Sequence, residues 1–264
     1  MLLVKVGGGA TINLPGIARD LASLDEPALV VHGANACRDE LAQRLGQPTQ
    51  TVTSVSGVSS VLTDQDALDI LTMAYAGLVN KRFVQLCQQE GVNAVGLTGL
   101  DGGLVRGRRN AGIRVNDNGK KRIVRDHSGK PESINEELLR WLLDAGYTPL
   151  LTVPILDEDN RAVSTENDSI VALLQKTLGA RRVIHLIEAP GLLEDRDDPS
   201  SVVASLRLSE LEARSRTTRG RLQRKLMALA TMTASGCDEI VIADGRSESP
   251  LGGALSGEGT RIRA

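Results

Sequence analysis

The nine residues Leu2–Ala10, LLVKVGGGA, constrain the fold more than any other stretch of the chain. A short run of Leu and Val that ends in glycines reads as a buried strand. Lys5 sits near the end of that run, where burial is costly unless the ammonium reaches solvent or meets an anion. The three glycines that follow have no Cβ, so their N–H groups can approach a ligand closely. A cation and bare amides at the carboxyl end of a strand are what a phosphate site needs. The scheme is neither of the two common ones. No G-x-x-x-x-G-K-[ST] occurs in the chain, and the third glycine of G-x-G-x-x-G, counted from Gly7, falls on Ile12.

The same punctuation returns further on. Ala28–His32 reads as a second strand that runs into Gly33-Ala34-Asn35-Ala36, with helical spacing over Cys37–Leu45. Gly16–Leu24 reads as the helix between the two strands. Thr51–Ser60 is an extended segment or loop, and Thr63–Glu90 a long helical region opening at Thr63-Asp64. Ala94–Leu97 is strand-like. Ser133–Ala145 reads as a helix capped by Ser133 and stopped by Gly146. Thr148–Pro154, Arg182–Leu186 and Glu239–Ala243 read as strands, and Ile170–Leu178, Leu206–Leu211 and Gly220–Ser235 as helices, with a short strand after Gly259. Strands alternating with helices predict an α/β fold, a three-layer αβα sandwich around an open, mostly parallel sheet.

Composition narrows the function. Aromatic residues are 2%, too few for base-stacking platforms, and a net charge of −2 gives no overall pull on polyanions, so nucleic acid is not the expected partner. Cys37, Cys87 and Cys237 are widely spaced and give neither a disulfide framework nor a zinc site. With no leader-like start and no long apolar run, the expectation is a cytoplasmic chain with no membrane segment. One segment departs from the average. Arg106, Arg108, Arg109, Arg114, Lys120, Lys121, Arg122, Arg125 and Lys130 face only Asp117 and Asp126, around an Asn118-Gly119 hairpin signal. The segment is either a solvated basic hairpin or a landing site for an acidic partner.

Three further charged positions matter. Asp168 begins a helix, where a carboxylate can merely cap. Lys225 lies early in a helix, where a cation opposes the dipole unless an anion is near. Each, like Lys5, also has a plain structural reading. Taken in order along the chain, VKVGGG at 4–9, VHGAN at 31–35, END at 166–168, GRLQRK at 220–225, ADGR at 243–246 and SGEGT at 256–260 resemble the amino acid kinase family over essentially the full length. Within it the sequence is most similar to the acylglutamate kinase branch. The nearest kinases there act on 2-aminoadipate or glutamate attached to a small acidic amino-group carrier protein. LTDQDALDILTMAYAGLVNKR at 62–82, GLTGLDGGLVRGRR at 96–109 and ADGRSESP at 243–250 carry that closer likeness.

The resemblance implies an ATP-dependent phosphotransferase whose acceptor is a carboxylate, already ionised near neutral pH, so that no general base is needed. It implies Lys5 and Lys225 holding phosphates from two sides, Asp168 orienting both, and amides at Gly8, Gly9, Gly33 and Ala34 on the phosphoryl oxygens. ATP would lie over the C-terminal half, at Gly191, Leu192, Arg221 and Lys225, and Mg²⁺ would arrive with it. The halves would be 1–178 for the acceptor and carrier and 179–264 for ATP, in one continuous domain and a homodimer. Arg106, Arg108, Arg109, Lys120, Lys121 and Arg122 would dock the carrier. Two positions depart from the family pattern: Val61 stands where an arginine commonly holds the acceptor's α-carboxylate, and Ser164 stands where an asparagine helps it. Ala34 replaces the second glycine of the usual His-Gly-Gly. A carrier-linked acceptor is the first expectation. A free N-acetylglutamate acceptor and a catalytically weak nucleotide-binding regulator are the alternatives.

Overall fold

The computed structural model describes residues 1–55, 59–117, 120–195, 197–218 and 220–263; the side chains of 59, 116, 117, 120, 121, 217 and 220–225 fall outside the description as well. The chain opens with β1 (Leu2–Val6), α1 (Leu14–Ala22), β2 (Ala28–His32) and α2 (Asn35–Arg44). Two short strands, β3 (Thr51–Thr53) and β4 (Ser59–Val61), pair antiparallel where an extended segment was expected. The long helical region is α3 (Gln65–Thr72), a run of wider π-type turns over Met73–Val79, and α4 (Asn80–Gln89). Then come β5 (Ala94–Thr98), β6 (Val105–Arg109), β7 (Ile113–Asp117), β8 (Lys120–Val124), β9 (Gly129–Ile134) and α5 (Glu136–Asp144). The second half runs β10 (Thr148–Thr152), β11 (Ile155–Leu156), β12 (Ala162–Val163), α6 (Asn167–Leu178), β13 (Arg182–Ile187), β14 (Ser205–Arg207), α7 (Leu208–Thr217), α8 (Gly220–Ala234), β15 (Glu239–Asp244), α9 (Pro250–Ser256) and β16 (Thr260–Arg263).

The main sheet has eight strands in the order β14-β16-β15-β13-β1-β2-β10-β5. All neighbours are parallel except β15 and β16. Its core strands are buried on both faces, which is why they read as nearly unbroken apolar runs. Strand alternation divides the core in two. Leu3, Val31, Leu151, Val183 and Ile240 pack under α3, α5, α6, α7 and α8. Leu2, Val4, Val6, Val30 and Ile184 pack under α1, α4 and α9. This is the three-layer αβα arrangement. Among the described residues no helix is long and apolar enough to cross a membrane.

Three local readings are corrected. Leu206–Leu211 is not one helix: Leu206 lies in β14, a three-residue edge strand, and α7 starts after it. The cap of α5 is Asn135, whose side chain accepts from Leu138 N at 3.2 Å, while Ser133 belongs to β9. The basic segment is not a single hairpin. β6 and β9 join β11 and β12 in a second sheet, and β7 with β8 makes a separate ribbon whose Asn118-Gly119 turn lies outside the described residues.

Chain order reverses direction at β1, with β2 on one side and β13 on the other. Loops leaving adjacent strands at such a switch point diverge and open a crevice at the carboxyl edge of the sheet.

Candidate active site

Lys5 shares with Leu3 the sheet face that α6 covers, and α6 begins where the side chain ends. Its ammonium lies 3.6 Å from Asp168 Oδ1, and the two side chains are 14% and 25% exposed. A half-buried pair of this kind is screened far less than a surface pair. Asp168 is in the first turn of α6, where the helix dipole favours a negative charge. In register with Lys5 on β13 sits His185, fully buried, its Nδ1 3.8 Å from the same carboxylate oxygen. Sequence reading passed over His185; a lone histidine inside the run Val183–Ile187 was the available signal.

Two interlocked loops face this pair. Gly33 N donates to Val6 O at 3.0 Å and Ala36 N to Gly8 O at 2.9 Å. A Cβ on Gly8 would lie 2.5 Å from Ala34 N and 2.7 Å from Asn35 N, and one on Gly33 would lie 2.9 Å from Gly8 N. Here glycine is required by close approach of backbone to backbone. Ala34 is the buried N-cap of α2, so α2 and α6 both start at this cradle and turn their positive dipole ends toward it. Gly9 stands a little apart. A Cβ there would land on the Glu188 carboxylate, which accepts from Thr11 N at 2.9 Å and from Thr11 Oγ1 at 2.6 Å. These bonds hold the Glu188 carboxyl below its usual range and pin the glycine loop across the seam to the loop after β13.

The end of β2 is fixed from beneath. Asn80 Nδ2 lies 2.9 Å from His32 Nε2 and from Leu150 O, and His32 Nδ1 lies 3.2 Å from Gly33 O. With Asn80 as donor, the ring's single proton is on Nδ1 and is donated to the glycine carbonyl. Burial, above all, pushes the His32 pKa down to about 4. Thr152 Oγ1 and Asn167 Nδ2 both donate to His32 O, at 2.9 and 3.0 Å.

Lys5, Gly8, Gly33 and Asp168 open into a cleft of about 720 Å³ that Arg38, Val61, Tyr75 and Ser164 also line. Val61 and Ser164 therefore share one wall system. The segment 126–129 joins them: His127 N donates to Thr63 O and Ser164 N to His127 O, both at 2.7 Å, and Gly129 N to Ser164 O at 2.8 Å. Gly9 and Ala34 line a neighbouring cleft of about 510 Å³ with Gly8 and Gly33.

The positions expected to meet the nucleotide come later in the chain. Gly191 and Leu192 follow β13, and Leu192 N donates to Thr260 Oγ1 at 2.8 Å at the start of β16. A Cβ on Gly191 would lie 2.8 Å from that hydroxyl. Arg221 and Lys225 belong to α8, which packs on α6, and their side chains are outside the described residues. Among the described residues no group of three or more His, Cys, Asp or Glu side chains could hold a metal ion.

The basic positions spread over two elements. Arg106 Nη1 donates to Asn160 Oδ1 at 2.6 Å, and exposed Arg108 pairs with Glu132 at 3.4 Å. Arg109 turns back, its Nε donating to Asp126 O at 2.9 Å. Arg122 is exposed on β8; the side chains of Lys120 and Lys121 lie outside the description. Ile113 of β7 lines the cleft, so the ribbon rises from its lip.

The profile of the amino acid kinase family matches residues 1–244. A LysW-aminoadipate kinase of Thermus thermophilus is 42% identical over 269 residues, covering all of both chains. An acetylglutamate kinase of Methanopyrus kandleri is 32% identical over 266 residues, again covering both fully. Among solved structures, smu.665 from Streptococcus mutans superposes with a TM-score of 0.75 at 18% identity, over 100% of this chain and 98% of its own. On the match of profile, relatives and fold together, the chain belongs to the amino acid kinase family.

Proposed function

We propose that this protein transfers the γ-phosphoryl group of ATP to the side-chain carboxylate of an amino acid, 2-aminoadipate, glutamate or a close analogue, held through its amino group on a small acidic carrier protein. The observation that carries the reading is the Lys5–Asp168 pair at 3.6 Å beside the Gly8 and Gly33 backbone, where two helix N-termini converge. A carboxylate nucleophile needs no base. What remains is to bring two anions together and to neutralise charge on the transferred group. Lys5 and the amides of the cradle supply that charge from the side of β1, and Lys225 of α8 is assigned the opposite side. Asp168 fixes Lys5. Magnesium, arriving with the nucleotide, would supply neutralisation of phosphate charge. Gly191, Leu192 and Arg221 are assigned to the nucleotide.

The carrier is supported by the names of the relatives that match end to end, and by the basic ribbon of β7 and β8 at the lip of the cleft. A homodimer is part of the proposal: β5 leaves the sheet edge open, and the Met73–Val79 segment that contacts β5 carries Met73 at 47% exposure. The second reading, a kinase of free N-acetylglutamate, is favoured by the full-length match to an acetylglutamate kinase. Trapping the acyl phosphate with hydroxylamine separates the two. Carrier-linked 2-aminoadipate or glutamate should give hydroxamate in an ATP-dependent way, and free N-acetylglutamate should be a poor substrate. Efficient use of the free acceptor together with none of the carrier-linked ones overturns the proposal.

A further inference from the structure

An amino acid attached through its amino group keeps its α-carboxylate, so the proposed acceptor brings two anions into the cleft. One receives the phosphoryl group; the other must also be held, because a carboxylate taken into a half-buried site without a partner is costly. Among the described residues that line the cleft, the cations are Lys5 and Arg38. Lys5 is engaged by Asp168 at the reacting end. Val61 and Ser164 carry no charge.

Arg38 is built like a reader of a planar anion. Its side chain is 15% exposed. Nε and Nη2 donate to Asp39 Oδ1 at 3.0 and 2.7 Å, and Thr49 Oγ1 donates to the same oxygen at 2.7 Å. Adjacent residues on a helix ordinarily diverge. Here the guanidinium folds back onto its neighbour, and a threonine from the next segment holds that neighbour in turn. One edge of the fork is thereby fixed, and Nη1 has no hydrogen-bond partner among the described residues. A guanidinium held in plane matches the bidentate geometry of a carboxylate.

We propose that Arg38, oriented by Asp39 and Thr49, binds the α-carboxylate of the carrier-linked amino acid and makes a free α-carboxylate a requirement for the acceptor. The inference rests on the carrier-linked reading above and names what that site selects.

The test uses the whole enzyme and four carrier conjugates: 2-aminoadipate and glutamate, each with a free α-carboxylate and each as the α-carboxamide. All four keep the side-chain carboxylate that is phosphorylated. The parent enzyme should prefer acid over amide. Arg38→Met should lower kcat/KM for the acids by roughly 10–100-fold, chiefly through KM. It should change the amides by less than about threefold, so that discrimination collapses, and leave the KM for ATP unchanged. Asp39→Asn should give a partial collapse of the same sign. If Arg38→Met does not fold, Arg38→Lys and Arg38→Gln read the same ratio. Equal losses on acid and amide, or a parent enzyme that does not discriminate, overturn the inference alone. A parent enzyme that turns over none of the four conjugates overturns the carrier-linked reading and the inference with it.

Discussion

Asn167 Nδ2 donates to the carbonyl oxygen of His32 at 3.0 Å, joining the first residue of α6 to the last residue of β2. Asp168 is the next residue of α6 and Gly33 the first residue past β2, so this hydrogen bond helps tie the two sides of the candidate site together. Replacing Asn167 by leucine should lower kcat by up to about tenfold, the size of one net hydrogen bond, since His32 O still accepts from Thr152 Oγ1, and leave the KM for ATP nearly unchanged. Steady-state kinetics at saturating carrier would show it; a variant with parental kcat would detach this bond from function.

Lys5→Ala is expected to keep the fold and lose about 10²–10³ in kcat, the usual loss for one donor aimed at developing charge. Asp168→Asn should fall in the same direction, since it frees Lys5 from its 3.6 Å partner. Near-parental turnover by Lys5→Ala at saturating ATP would remove Lys5 from the chemistry.

Gly8→Ala places a methyl 2.5 Å from a backbone nitrogen, whereas a Cβ at Gly77 would meet nothing within 4 Å. The first should cost about 1–3 kcal/mol and most of the activity. Gly77→Ala should leave both close to parental values. Thermal denaturation and turnover, measured side by side, test the contrast.

His32 is neutral in the fold, with a pKa near 4 against an ordinary 6.5, because burial disfavours its charged form. The unfolded chain therefore takes up a proton that the folded one refuses. Stability from this residue is fully present above about pH 6.5 and is lost as pH falls toward 4, by on the order of 3 kcal/mol across that window. His32→Gln cannot titrate and should flatten the unfolding free energy between pH 4 and 6.5. Parallel pH profiles for parent and variant would contradict the assignment.

Docking by exposed charge is weakened by salt, with a Debye length of about 8 Å at physiological strength. Reversing Arg108, Lys120 and Lys121 to glutamate should raise the KM for carrier, reduce its salt response and leave the KM for ATP alone. Arg109 is left out because its guanidinium is tied to Asp126 O. Titrations of carrier at two salt concentrations decide it; a parental KM and salt slope in the triple variant would return the ribbon to a solvated hairpin.

Much of the centre was legible because strand punctuation and charge placement are local signals. Leu2–Val6 and Ala28–His32 ended in small residues, Lys5 stood out as a charge in a costly place, and Asp168 was marked out by the family motif it belongs to. The family resemblance paired Val61 with Ser164, but the full cleft wall was not legible as an assembly. Arg38, Val61, Tyr75 and Ser164 come from four elements, and periodicity tells which face a residue occupies, never what meets it across space. His185 was hidden for a related reason: a buried histidine in an apolar strand reads as core until the register puts it beside Lys5. Leu206 was misassigned because a three-residue strand is shorter than one helical period.

The wide turns at Met73–Val79 give the long helical region two allegiances. Leu71 and Tyr75 pack on the face that carries Lys5, whereas Phe83 and Cys87 pack on the opposite face with α1. A π-type turn spends one extra residue without advancing the axis by a normal step, which shifts the angular phase of everything after it by about 100°. Removing a single residue from this stretch would restore an uninterrupted helix and put Tyr75 and Asn80 out of phase. The cleft wall and the histidine that steadies Gly33 would then no longer be satisfied together, so the chain's tolerance for length change here is set by angle rather than by volume.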